Sequence, residues 1–254
     1  MKEMESIPSL WYQSDPRRLD QTNIPLGWVR EVVPLRAYAQ NLFAIVGTSG
    51  CGRDTLIDAM MVLSPTLARV RRTTTRPSRY PNESVRILSL SESSFTAIQQ
   101  NQKILCPYRY PPNGKWYGIS QDELKIIKQG PAILEGTAEI LPLKMLLPES
   151  TAVIIVPRSF NQLEQQLIGR DGETAETLKR VERSKRELTI LLTRLPRLIE
   201  TNAINGIVIN DDTPANVGSR TLMQMQGNMW PTAIPQKLQT DITDYLSQWN
   251  CTSV

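Results

Sequence analysis

The sequence predicts an α/β fold, a parallel sheet wrapped by helices, on three observations. Apolar runs at residues 42–46, 132–134, 152–156 and 207–209 are too short for helices and are bounded by turn or capping residues, as buried parallel strands are. Helical signals fall between these runs, an alternation that belongs to parallel sheets covered by helices. The first run leads through a glycine-rich turn, Gly47-Thr-Ser-Gly50-Cys-Gly52, into apolar residues at helical intervals over 55–63.

Taken in order, residues 1–40 carry Pro8, Pro16, Pro25 and Pro34 among Trp11, Tyr12 and Trp28, and read as an extended arm. The core is expected over 41–226. Within it, Ser120-Gln-Asp-Glu123 and Ser159-Phe-Asn-Gln162 are capping-box patterns, Thr213 precedes Pro214 at a first helical position, and a charged helix is expected from 176 to about 192. Residues 227–254 form a C-terminal extension. Its Trp230, Tyr245 and Trp249, with the aromatic residues of the arm, are expected to dock a protein partner, and for the arm the alternative is packing on the core.

The chain contains no histidine, which removes Ser-His-Asp and Cys-His nucleophile systems, imidazole bases and histidine metal sites together. Chemistry must therefore rest on Arg, Lys, carboxylates, hydroxyls or backbone amides. Cys51, Cys106 and Cys251 are an odd number, widely spaced, and suggest neither a disulfide framework nor a zinc cluster. With no apolar run of spanning length and no secretory signal near Met1, a cytoplasmic protein without a membrane partner is expected. Basic charge is concentrated at Arg69, Arg71, Arg72, Arg76, Arg79 and Arg86, with Glu83 the one acid among them. That run points to a local anion site rather than to nucleic acid, because no aromatic stacking platform is interleaved with it.

The turn from Gly47 to Thr55 lies between the first core strand and its helix, where backbone N–H groups and a helix N-terminus can cradle phosphate. A strict phosphate loop has Lys then Ser or Thr after its last glycine, and here Arg53 and Asp54 stand there, with Thr55 one position late. Arginine keeps the charge as a planar fork in place of a compact ammonium. Asp54 and Thr55 supply the oxygen groups that could approach Mg²⁺. The plainer alternative is a glycine-rich turn with no ligand.

Residues 47–56, Arg72-Thr-Thr-Thr-Arg76-Pro-Ser-Arg79, Trp116-Tyr117-Gly118, Leu167-Ile-Gly-Arg170 with Arg180 and Glu187, and Val208-Ile-Asn210-Asp211-Asp212 follow one another at about the spacing found in guanylate kinases. The chain resembles that family over residues 42–212. The resemblance implies a nucleoside-monophosphate-kinase-like P-loop fold, with an acceptor-binding region at about 70–130 and a lid at about 160–187. It implies ATP and Mg²⁺ as cofactors, held by Gly47, Ser49, Gly50, Gly52, Arg53, Asp54 and Thr55, with Asn210 at the adenine edge. Arg76, Arg79 and Tyr117 resemble acceptor-phosphate residues, Arg170 and Arg180 resemble lid arginines that neutralise the transferring phosphoryl group, and Glu135 falls near a strand-end carboxylate that steers Mg²⁺.

The guanine-reading places of the family hold Arg72, Cys106 and Ile119 here, and Val85 stands where a tyrosine is usual, so GMP is not the expected acceptor. The branch of ribose 1,5-bisphosphate phosphokinases, with Gly-Lys-Asp-Ser in its loop, is similar at Gly52-Arg-Asp-Thr55, Asn82-Glu83-Ser84, Asn113-Gly114, Glu135-Gly136-Thr137 and Leu141-Pro142. Two readings follow: a kinase acting on a small phosphorylated acceptor, or a non-catalytic module that binds a phosphorylated ligand or a protein.

Overall fold

A computed structural model describes residues 25–110 and 113–251. In chain order come α1 (Leu26–Val32), a 3-10 segment (Val33–Asn41), β1 (Leu42–Val46), α2 (Arg53–Leu63), β2 (Ala68–Val70), β3 (Arg72–Thr74), β4 (Ile87–Ser89), α3 (Glu92–Gln100), β5 (Ile104–Tyr110) and β6 (Lys115–Ser120). There follow α4 (Gln121–Leu124), β7 (Ala132–Gly136), α5 (Leu141–Leu146), β8 (Thr151–Pro157), α6 (Phe160–Asp171), α7 (Ala175–Thr193), α8 (Leu195–Glu200), β9 (Gly206–Asn210), α9 (Pro214–Gly227) and α10 (Gln236–Cys251). The chain divides into two compact units. The first takes the described residues of Met1–Ala44 and Thr66–Thr151, and the second takes those of Ile45–Pro65 and Ala152–Val254.

In the first unit the strand order is β2-β7-β1, with the opening residues of β1 at one side. β2 and β7 run parallel with Arg69 opposite Ile133, and all of β7 is buried, as its unbroken apolar run required. A second sheet, β4-β3-β6-β5, was not expected: β6 runs antiparallel to both β3 and β5. Its strands β3 and β4 have three residues each, too few to show a period in sequence.

The expected extended arm is corrected where it is described. Leu26–Asn41 is helical, because Pro25 precedes the first turn and Pro34 falls in the first turn of the 3-10 segment, where no N–H is needed. Trp28, Val32, Leu35 and Ala39 fall on one buried face, and Arg36 Nε donates to the Leu146 carbonyl at 3.0 Å. Residues 1–24 lie outside the described residues.

In the second unit the order is β1-β8-β9, and β8 and β9 are parallel. Ser159 and Thr213 cap α6 and α9 by accepting from Gln162 N and Asn216 N, as the sequence predicts. The C-terminal extension belongs to this unit. Ile207 N donates to Pro231 O at 2.8 Å, and Gly206 permits that approach, since a Cβ there would lie 2.5 Å from Trp230 Cβ. Leu238 and Ile242 of α10 are buried, and Tyr245 hydrogen-bonds Glu182 and meets Phe160 edge-on. Trp230 and Tyr245 thus lie against elements of this same unit; the side chain of Trp249 lies outside the described residues. Among the described residues, no helix is long and apolar enough to cross a membrane.

Candidate phosphate-binding site

The glycine-rich turn ends at Gly52, whose φ of 91° is left-handed, so a side chain here would be strained as well as obstructed by Asn210 Nδ2, 2.4 Å from its Cβ. Gly52 has no side chain to cap α2, which leaves the helix's first N–H groups without a side-chain cap, the arrangement that suits an anion. These residues open onto a cavity of about 440 Å³ within the second unit, walled also by Gln162, Gln166 and Arg170 of α6 and by Asn210 and Asp212. Thr48 Oγ1, Arg53 Nη1 and Gln166 Oε1 are buried without hydrogen-bond partners. An unmatched buried polar atom costs about 1–3 kcal/mol, and a phosphate accepting from Thr48 and Arg53 would relieve two of the three.

Asp54 and Thr55 are exposed within the first turn of α2. A carboxylate beside a phosphate site repels the ligand unless a cation bridges them, and these hard oxygens suit Mg²⁺. Among the described residues no group of three His, Cys, Asp or Glu is gathered for a metal, but Mg²⁺ ordinarily takes only one or two carboxylates with phosphate oxygens.

Cys51 is wholly buried in the turn and its thiol donates to Thr48 O at 2.9 Å. Burial pushes this thiol up to about 11 against the opposing charge of Arg53, and burial pushes Cys106 up to about 12. Both thiols are therefore protonated at neutral pH. Cys51 and Cys106 are expected to resist iodoacetamide at pH 8 until the chain is unfolded; rapid native alkylation of either, read by peptide mass, would contradict this burial.

The Asn210 amide nitrogen Nδ2 donates to Cys51 O at 3.0 Å. Arg170 and Arg180 are brought together on Asp171, at 2.9 and 2.5 Å. The Arg170 hydrogen bond, with the charges of both arginines, holds the Asp171 carboxyl below its usual value.

The acceptor-side residues lie in the first unit. Arg76 grips Glu83 through two bonds of 2.6 and 3.0 Å, and Arg79 contributes its backbone N–H to the same carboxylate at 2.7 Å while its side chain is exposed. Burial alone would raise Glu83, but the bonds from Arg76 and Arg79 outweigh it and leave the carboxyl below its ordinary value. A depressed carboxylate stabilises the fold fully above its unfolded pKa of about 4.3 and loses that contribution as pH falls through the folded value. The gap in urea midpoint between wild type and Glu83→Gln is therefore expected to be open at pH 7 and closed in acid; a gap independent of pH would show that Glu83 acts by shape alone.

Glu135, at 2% exposure, lies 3.2 Å from Arg69 and 3.5 Å from Arg72, a buried carboxylate between two guanidinium groups. Arg72 also reaches Tyr108 OH at 3.4 Å and sits 5.5 Å above the Tyr117 ring, which stacks on Tyr108. Tyr117 OH accepts from Asn113 at 3.0 Å. Arg71 pairs with Glu123, so Glu123 is drawn away from the capping box expected of it, and Ser120 caps Asp122 N instead. With carboxylates on Arg69, Arg71, Arg72 and Arg76, the basic run is not a solvated basic face.

No family model matches the chain. It is 28% identical over 156 residues to a guanylate kinase of Nostoc sp., covering 58% of this chain and 75% of the relative. A guanylate kinase of Synechococcus sp. is 25% identical over 196 residues, covering 75% of this chain and 98% of the relative. The crystal structure of guanylate kinase from Anaplasma phagocytophilum superposes with a TM-score of 0.51 at 14% identity, over 74% of this chain and 85% of that one. The fold is guanylate kinase-like.

Within this guanylate kinase-like frame, Cys106 and Ile119 are buried, Val85 is exposed, and Cys106 adopts a φ of 49° at an irregularity of the β5–β6 pairing. Sequence reasoning missed Thr48, Gln162, Gln166, Glu83 and Asp171 as site residues. Gln162 and Gln166 were detectable as two amides one turn apart on the helix facing the loop, and Glu83 as the one acid in a basic run. For Asp171 no signal distinguished it from a surface acid at a helix end.

Proposed function

We propose that this chain transfers a phosphoryl group from ATP to a small phosphorylated acceptor other than GMP, either a sugar bisphosphate or a nucleotide-like phosphate. The observation that carries this reading is the cavity whose buried Arg53 Nη1 and Thr48 Oγ1 have no partner in the protein. The similarity to guanylate kinases supports ATP as donor. In this reading the loop amides, Arg53 and Thr48 hold the donor phosphates, Asp54 and Thr55 face Mg²⁺, and Mg²⁺ offsets the charge of the phosphate oxygens when bound. Arg170 and Arg180, already gathered at Asp171, would exchange that carboxylate for the charge of the transferring group. Arg76 and Arg79 would take the acceptor phosphate, with Tyr117 beside them and Arg72 anchored by Glu135. Arg72, Cys106 and Ile119 offer none of the groups by which the family reads guanine, and this is the basis for excluding GMP. A reducing cytoplasm suits Cys51 and Cys106, which are unpaired thiols.

One observation favours the second reading, a non-catalytic module for a phosphorylated ligand or protein: Arg76, Arg170 and Arg180 each already hold a carboxylate. Incubation with ATP, Mg²⁺ and a panel including ribose 1,5-bisphosphate, GMP and other phosphates, followed by ADP release, tests the proposal. Turnover with a phosphorylated acceptor other than GMP is expected. ATP binding without turnover on any acceptor would favour the module, and GMP turnover at the rate of the best acceptor would overturn the exclusion of GMP.

A further inference from the structure

We infer that Asn210 is a positioning residue for the phosphate loop, acting on the peptide between Cys51 and Gly52. The inference rests on the phosphate-loop reading above. Cys51 O can only accept, so the Asn210 atom 3.0 Å from it must be the amide nitrogen, and the orientation of this side chain is set by chemistry. The Asn210 main-chain carbonyl accepts from Gln162 Nε2 at 2.9 Å, and Gln162 Oε1 accepts from Arg158 N at 2.7 Å. The last residue of β9 is thus tied to the loop on one side and to the first turn of α6 on the other. Gly52 leaves room for the contact, since any Cβ there would meet Nδ2 at 2.4 Å.

What this clamp controls follows from peptide geometry. In a planar trans peptide the C=O and the next N–H point in opposite directions, so holding Cys51 O fixes the direction of the Gly52 N–H. Glycine can take either sign of φ at little cost, so without a clamp the 51–52 peptide is free to turn its carbonyl towards an anion instead of its N–H. Gly52 and Arg53 both line the cavity, and a reversed peptide would set a carbonyl dipole against the phosphates that Arg53 attracts. Asn210 therefore governs phosphate binding whatever base the ligand carries.

The test compares Mg-ATP with Mg-tripolyphosphate, an inorganic chain with no base, by calorimetry on wild type, Asn210→Ala and Asn210→Ser, well below each melting temperature. Both variants are expected to lose about three- to tenfold affinity for the two ligands alike. General destabilisation would lower the melting temperature without moving affinity in the folded protein, and a residue that only reads adenine would weaken ATP alone. Two variants are used so that misfolding of one does not decide the matter. Tripolyphosphate affinity equal to wild type in a folded variant overturns this inference and leaves the phosphate-loop reading standing. A wild type that binds neither ligand overturns both.

Discussion

Replacing Glu135 by alanine is expected to destabilise this protein by about 3–5 kcal/mol, the usual cost of removing one partner from a buried ion pair. The side chains of Glu135 and Arg69 are 3% and 4% exposed and that of Arg72 is 16% exposed, so both guanidinium groups would lose this carboxylate in a largely buried setting. Urea unfolding monitored by tryptophan fluorescence gives the change directly. The same variant weighs the two roles of Glu135. A carboxylate that serves Mg²⁺ would, when removed, weaken Mg²⁺-dependent ATP binding with little effect on the urea midpoint; a counter-ion does the reverse, and an unchanged midpoint would rule out the structural role.

Arg53→Ala should act in the opposite sense, weakening ATP binding while leaving stability intact or slightly raised. Arg53 Nη1 is buried and unpartnered, so the ligand-free fold gains nothing from this group and gives up its desolvation cost when it is removed. With ATP present, a charge-assisted bond of about 1.5–3 kcal/mol is lost, a rise in dissociation constant of about 10- to 150-fold by calorimetry. Arg53→Lys keeps the charge in a compact form and should retain ATP if the loop serves a triphosphate. An ATP affinity indifferent to Arg53→Ala would mean that the phosphate-loop reading is wrong.

Much of the second unit was legible in the sequence because its signals are local. The runs that became β1, β8 and β9 are apolar along their whole length, as strands covered on both faces must be, and Ser159 and Thr213 announce α6 and α9 by the bonds they make three residues on. The first unit was less legible. Prolines before and within Leu26–Asn41 suggested an extended chain, although both sit where a helix tolerates them, and the spacing of Trp28, Val32, Leu35 and Ala39 carried the contrary signal. The strands β3 and β4 become strands through their neighbours, not through any period of their own.

By itself the sequence determined which chemistry was available: no imidazole, a glycine-rich turn ending in Arg53, and arginines crowded between 69 and 86. Tertiary structure alone decided what each of those groups meets. Arg69 lies opposite Ile133 in a parallel pair, which puts Glu135, two residues further on the same face, beside it; a shift of one residue in register would have sent that carboxylate to the other face. Asn210 reaches Cys51 across 159 residues because β9 ends beside the loop that β1 feeds. Charge and hydrogen-bonding capacity are properties of single residues, whereas the pairing of a charge or a donor is a property of strand register and of where strands end.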